Sequence, residues 1–300
     1  MTSIEHAASL LEEAPPAEDT GERASWWQVA PLVVVLALFF GLPMIVVLVV
    51  SFFDFDRTDI IPAFIFDNYV ELFTREVTLR LYASSLKFAL IVWTITLLLG
   101  FNIAYFLVFH VRGLLFQIGL FLLCTVPFLT SNIIRMISWI PFLGRNGIFN
   151  QALQGAGITN QPLEFLLFSD FAVVVAYVHL FTLFMVVPIF NSMARIDKSL
   201  LEAARDAGAG RFRTVFEIVL PLSRTGIALG SIFVITLVMG DSFVVRTMSG
   251  GQSASVSLMM MNAMSLLQYP AAAANAVILL LLVLFTVAAM MRMVDIRKEL

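Results

Sequence analysis

Charge is scarce in this chain of 300 residues: Asp, Glu, Lys and Arg together supply 13% of positions, and the net charge is −3. Most of that excess lies in an acidic stretch near the N-terminus, so there is no basic field to attract nucleic acid. The three histidines, His6, His110 and His179, are too far apart for ligand spacing, which argues against a metal site. One cysteine, Cys124 in an apolar run, excludes an intrachain disulfide and carries no information about compartment. A phosphate loop ending in Lys and Ser/Thr is missing; the segment GAGRFR at 208–213 lacks those residues, so no nucleotide site is expected on this chain. Missing too is a basic start followed directly by a short apolar core, so the first apolar run is expected to stay in the protein.

What the chain has is apolar sequence. Sixty per cent of residues are apolar, phenylalanine alone supplies 28, and mean hydropathy is strongly positive. No soluble domain of this size could remain dispersed with that composition, which makes the fold class all-α and integral to a membrane. Residues 1–25, with Glu5, Glu12, Glu13, Glu18, Asp19, Glu22 and Pro15-Pro16, read as a disordered acidic tail, and residues 26–300 as the transmembrane domain. Six spans of about 20 to 26 residues are predicted, at about 29–53, 84–109, 114–139, 171–193, 222–245 and 271–292, each long enough for a hydrocarbon core of about 30 Å. Pro43 and Pro127 fall inside the first and third, where neighbouring helices can satisfy the freed carbonyls. Trp26-Trp27 suit the interface ahead of the first span. DNYVELFT at 67–74 predicts a short extramembrane helix after an Asp cap, part of a small outer cap. Residues 144–168, with GRNGIFNQAL, predict a short outer helix and an interfacial piece, and Leu258 to Leu267 is a shorter apolar stretch.

Orientation follows from the basic residues. With both termini in the cytoplasm, Arg23, Arg112, Arg195, Lys198, Arg205, Arg211, Arg213, Arg224, Arg292, Arg297 and Lys298 lie inside, eleven of the 18. Five of these fall between the fourth and fifth spans and a sixth, Arg224, just beyond, six in about thirty residues, which makes that connection, 195–221, cytoplasmic. Ser199 is placed to cap a helix with Glu202 in its first turn, an arrangement of capping-box type. That helix is expected to stop at Gly208-Ala209-Gly210. A second, from about Arg211 to Val219, carries Phe212, Val215, Phe216 and Val219 as a stripe for packing, and Pro221 is read as the start of the fifth span.

Within this loop Glu202, Ala203, Ala204, Gly208, Ile218, Leu220 and Pro221 fill every fixed position of E-A-A-x3-G-x9-I-x-L-P. The loop thereby resembles the EAA coupling helix of permease subunits of bacterial ATP-binding-cassette importers, and the implied architecture is the type I importer permease fold. By that resemblance Glu202, Ala203 and Gly208 are contact and bend residues that seat in a cytoplasmic ATPase dimer, where ATP and Mg are bound and hydrolysed; this chain binds no cofactor and is not itself an enzyme. Three further segments, VPFLTSNIIRMISWIPFLGRNGIFNQAL at 126–153, MVVPIFNSMARIDKSLLEAARDAGA at 185–209 and VMGDSFVVRTMSGG at 238–251, resemble the spermidine/putrescine-type permease family, first of its two permease subunits. The resemblance implies a second permease subunit, a periplasmic solute-binding protein, a bacterial inner membrane, and polyamine as cargo. Phosphonate, opine or amino-acid-like solutes are the alternative cargo within the same class.

Candidates for the solute path are Asp241, Arg135, Trp139, Ser131, Asn132 and Arg246. Asp241 could hold an ammonium group, pair with Arg246 or Arg135, or cap a helix break at Gly240. Arg135 would suit an anionic solute. Phe128, Trp139 and Phe142 could stack on a cation or simply pack, and Ser131, Asn132 and Asn262 could line the path or bond between helices. A secondary transporter would be expected to show internal repeats or paired interrupted helices. A membrane enzyme would need acids, histidines or metal ligands converging within the spans, and Asp241 has no catalytic companion in the sequence. Neither alternative accounts for the complete EAA pattern.

Overall fold

The computed structural model describes residues 21–56 and 59–292; residues 1–20, and with them most of the expected acidic tail, lie outside the described residues, as do Arg297 and Lys298. The chain divides into two units, residues 1–49 and 50–300. In the first, helix α1 begins at Gly21, inside the stretch read as tail, and runs through Gly21–Leu36, one π-helical turn at Ala37–Gly41, and Leu42–Val50. Its stretch Gln28–Val50 is long and apolar enough to cross a membrane. The π turn ends two residues before Pro43, whose ring nitrogen has no hydrogen to donate; a widened turn is one way a helix absorbs that defect.

The second unit opens with a two-stranded antiparallel hairpin, β1 (Asp54–Phe55) and β2 (Ile60–Ile61), followed by α2 (Asp67–Thr74). Helix α2 coincides with the predicted extramembrane helix, but Phe66 rather than Asp67 occupies the cap position and contributes no side-chain bond. Asn68 fixes α2 to the chain ahead of the hairpin, donating to the carbonyls of Ser51 at 3.1 Å and Phe53 at 2.9 Å.

Helix α3 (Glu76–Phe109) is 34 residues long, beginning eight residues before the predicted second span. At 1.5 Å per residue it is about 51 Å long and must project beyond a hydrocarbon core of about 30 Å. The predicted third span is not one helix. It consists of α4 (Leu114–Thr125), a 3-10 turn at Val126–Leu129, α5 (Asn132–Ile137) and α6 (Trp139–Leu143). Pro127 at the start of the 3-10 turn cannot continue the α-helical ladder, and the chain is extended at Thr130 before α5 starts. A short outer helix, α7 (Ile148–Gly155), follows as expected in the 144–168 loop.

Helices α8 (Asp170–Met193), α9 (Lys198–Asp206), α10 (Arg211–Leu222) and α11 (Arg224–Gly240) carry the chain through the fourth span, the polar loop and the fifth span. Two short helices, α12 (Phe243–Met248) and α13 (Val256–Ser265), precede α14 (Tyr269–Arg292). Among the described residues four unbroken helices can cross a membrane, in α1, α3, α8 and α14, with a fifth if the bent pair α10–α11 counts as one span. The expected six reduce to this because Pro127 divides the third and α11 starts only at Arg224.

The core of the second unit is the packing of α3, α8 and α11 on one another, centred on fully buried Met185. Small residues permit it. A Cβ on Gly100 of α3 would lie 2.7 Å from Met185 Cγ, and one on Gly230 of α11 2.7 Å from its sulfur. A Cβ on Gly226 would come within 2.4 Å of the Pro188 carbonyl oxygen, an atom held by backbone. In lipid, where helices gain little from burying apolar surface against one another, such close approach supplies the dispersion contact. Trp93 Nε1 adds a hydrogen bond to Ser231 Oγ at 2.8 Å between α3 and α11. Gly226→Val is therefore expected to force α8 and α11 apart at a cost of about 1–3 kcal/mol or more. Thermal unfolding in detergent checks this, with Gly155→Val, where a Cβ meets nothing within 4 Å, as the neutral control.

Candidate functional site

The polar loop forms a helix-turn-helix. Asp197, not Ser199, caps α9: its carboxylate accepts the Ser199 amide hydrogen at 2.9 Å. That bond holds the Asp197 carboxyl below the usual carboxylate range, so the cap is intact above the unfolded-state pKa and is lost as the pH falls through the lower folded value. With the cap two residues upstream of the expected one, Glu202 is not part of a capping box; it is an exposed mid-helix acid.

Helix α9 ends in a Schellman turn. Gly208 N–H bonds the Arg205 carbonyl and Ala209 N–H the Ala204 carbonyl, both at 2.9 Å, with Gly208 at φ +83°. A Cβ there would touch nothing within 4 Å, so the demand for glycine is one of backbone conformation. Leu201 is buried, while Leu200 and Ala203 are exposed and Ala204 is half-buried.

Helix α10 runs on to Leu222 through a π turn at Val215–Val219. As in α1, that turn ends two residues before a proline, here Pro221, which therefore closes α10 and does not open the fifth span. The chain bends by 69° at Ser223, whose buried hydroxyl donates to the Val219 carbonyl at 2.6 Å. Ile218, Leu220 and Pro221 are half-buried at this elbow. The packing stripe is only partly formed: Val219 is buried and Val215 half-buried, whereas Phe212 is 82% and Phe216 64% exposed.

The path candidates fall around α8. Asp241 follows the last residue of α11, where its Oδ1 accepts the Val244 amide at 2.8 Å, in the first turn of α12, and the Tyr177 hydroxyl at 3.2 Å. Its carboxylate thus bridges the break between α11 and α12 to α8. Arg135 is buried on α5 and donates to the side-chain carbonyl of Asn132. Trp139 donates its indole N–H to His179 Nδ1 at 2.9 Å, with the rings 5.5 Å apart and edge-on, and Phe142 packs edge-on to Trp139 at 5.6 Å. Tyr177 and His179 are two residues apart on α8 and point about 200° apart. Asp241 and Trp139 therefore meet different sides of α8. Ser131 and Asn132 are exposed at the break before α5, and Arg246 is exposed on α12. The Phe128 side chain lies outside the described residues.

Tyr177 is 1% exposed and stacks on Phe181, and no pattern in the sequence distinguished it among the aromatics. Also unforeseen was the tie at the start of α8: Asp170 pairs with Lys87 of α3 at 2.5 Å and accepts the Ser253 hydroxyl from the loop before α13. Beside it Gly250 lies so close to Phe168 that a Cβ would fall 2.6 Å from the Phe168 Cβ.

No protein-family model matches this sequence. Individual relatives do. The spermidine/putrescine transport system permease protein PotB of Escherichia coli K12 is 35% identical over 222 residues, 73% of this chain and 78% of that protein. The chain belongs to the spermidine/putrescine transport system permease family. The Haemophilus influenzae member is 34% identical to this permease over 223 residues, 72% of this chain and 75% of that protein. The E. coli inner membrane ABC transporter permease protein YdcU is 27% identical over 207 residues, 62% of this chain and 66% of that one. In fold, the permease resembles a chain of a bacterial alginate ABC transporter crystallised with an alginate pentasaccharide-bound periplasmic protein, with TM-score 0.73 at 16% identity, covering 90% of this chain and 93% of that one. A second structure, of a bacterial ABC transporter importing alginate, gives TM-score 0.73 at 18% identity, over 91% and 97%. At those identities the likeness speaks for the fold alone.

Proposed function

We propose that this permease is one of two transmembrane subunits of an ATP-driven importer that moves putrescine or spermidine across a bacterial inner membrane by alternating access. The observation that carries this reading is the 35% identity over 222 residues to permease proteins named for spermidine/putrescine transport. The α9–α10 element supports the mechanism. A capped helix, a left-handed glycine turn and a second helix braced at the Ser223 elbow form a stiff knob joined to α11. Seated in an ATPase dimer on the cytoplasmic side, such a knob turns closure of the ATPase on ATP into a tilt of α11, whose close contacts at Gly226 and Gly230 pass it to α8. ATP and Mg belong to the partner, and a periplasmic binding protein delivers the solute to the opposite face. The partner permease is a related, distinct chain.

The test is ATP hydrolysis by the reconstituted complex of this chain, its partner permease, the ATPase dimer and the binding protein. Putrescine or spermidine is expected to stimulate turnover, and carboxylate or phosphonate solutes are not. Stimulation by the anionic set alone would keep the importer and reverse the cargo, with buried Arg135 the residue to examine next.

A further inference from the structure

A cleft of about 600 Å³ opens between the coupling helix α9 and the α3–α4 connection. Arg112, Lys198 and Arg205 line it with Gln117, against a single acid, Glu202. A second cavity of about 260 Å³ shares Arg112, Leu201 and Arg205 and adds His110 and Arg211. Among the described residues none of Arg112, Lys198, Arg205 and Arg211 takes part in an ion pair, whereas the neighbouring Arg213 is held by Glu217 at 2.9 Å. Four cations converging with one acid among them repel one another, and an anion supplied from outside would relieve that repulsion.

The rest of the lining says what kind of anion. Phe109 is the last residue of the long span α3, and Leu114 the first of apolar α4; both line the cleft, and Leu114 is 70% exposed. The cleft therefore combines cations with apolar residues at the end of a membrane span, the pattern that suits a lipid phosphate with its chains against the apolar residues. Lys198, Leu201, Glu202 and Arg205 are spaced along one face of α9, with Leu201 buried, and exposed Leu200 and Ala203 lie off that face.

We propose that this cleft binds the phosphate headgroup of an anionic phospholipid and so fastens the coupling helix to the membrane surface. The placement on the cytoplasmic leaflet rests on the orientation given above; the binding itself does not.

Lipid retention by the purified full-length chain tests it, read by native mass spectrometry from detergent micelles doped with phosphatidylglycerol or with zwitterionic phosphatidylcholine. Phosphatidylglycerol is expected to be retained in preference. At about fivefold for each cation removed, the double variant Arg112→Gln/Arg205→Gln should bind it about 25-fold more weakly. Arg213→Gln, outside the cleft, should bind as the parent does. If gel filtration shows the double variant misfolded, Lys198→Gln alone should still show the fivefold loss. Equal retention of the two lipids, or equal retention by parent and cleft variants, would overturn the proposal. Displacement of phosphatidylglycerol by millimolar inorganic phosphate would overturn the lipid as the source of the anion. None of these readings depends on transport, so they stand apart from the test of cargo.

Discussion

Gly208→Pro should abolish uptake while leaving the permease folded and inserted. Proline cannot adopt the φ of +83° found at this position, and it removes the N–H that bonds the Arg205 carbonyl at 2.9 Å. Losing the turn costs about 3 kcal/mol or more, which is about hundredfold or more in the population of the docked knob. The damage stays local because the turn is exposed and the α3–α8–α11 core is formed elsewhere. Gly208→Ala should fall between: a Cβ there meets no atom, so only the left-handed conformation is penalised, by about 1–2 kcal/mol or about fivefold to thirtyfold in uptake. Glu202→Lys tests the same element by charge, reversing an exposed acid on α9 without touching the turn, and should also uncouple transport. Uptake into proteoliposomes containing the complete complex, read beside the amount of inserted permease, measures all three. Normal uptake by Gly208→Pro in a verified complex would remove the coupling role from this loop.

The loop was legible because its signals are local: a polar cap, a helix and a glycine at which the helix must stop. Even so the cap moved from Ser199 to Asp197, since either side chain can accept an amide hydrogen from the first turn, and only the three-dimensional path decides between them. Hydropathy located the spans in α1, α3, α8 and α14 but could not show that the third apolar run is broken, because lipid-compatible composition persists on both sides of Pro127. For the same reason it placed Pro221 at the start of the fifth span. Apolarity continues across the 69° bend, and the buried Ser223 that marks it is one serine among many. The partners of Asp241 were the least legible, since Tyr177 lies 64 residues away and no periodicity links the two.

Asp241→Ala should destabilise the permease far more than Asp241→Asn, and the pair separates the carboxylate's charge from its hydrogen bonds. Its Oδ1 takes both the Val244 amide and the Tyr177 hydroxyl. Alanine removes the carboxylate acceptor, losing the bond to the first turn of α12 at about 1 kcal/mol and leaving the hydroxyl of a nearly fully buried tyrosine only its longer bond to the Asp241 backbone carbonyl, at 3.4 Å, at a further cost of about 1 kcal/mol. Asparagine keeps a carbonyl oxygen at the same place, so unfolding of Asp241→Asn should lie within about 1 kcal/mol of the parent. Uptake then isolates the charge. If Asp241 holds an ammonium group of a polyamine, Asp241→Asn should raise the solute concentration needed for half-maximal uptake without changing the ATPase rate in the absence of solute. Identical uptake by parent and Asp241→Asn, beside a destabilised Asp241→Ala, would make Asp241 the residue that joins α11, α12 and α8 and nothing more. Tyr177→Phe completes the series: it removes the donor but not the charge, so it should reproduce part of the alanine destabilisation and none of any asparagine effect on uptake.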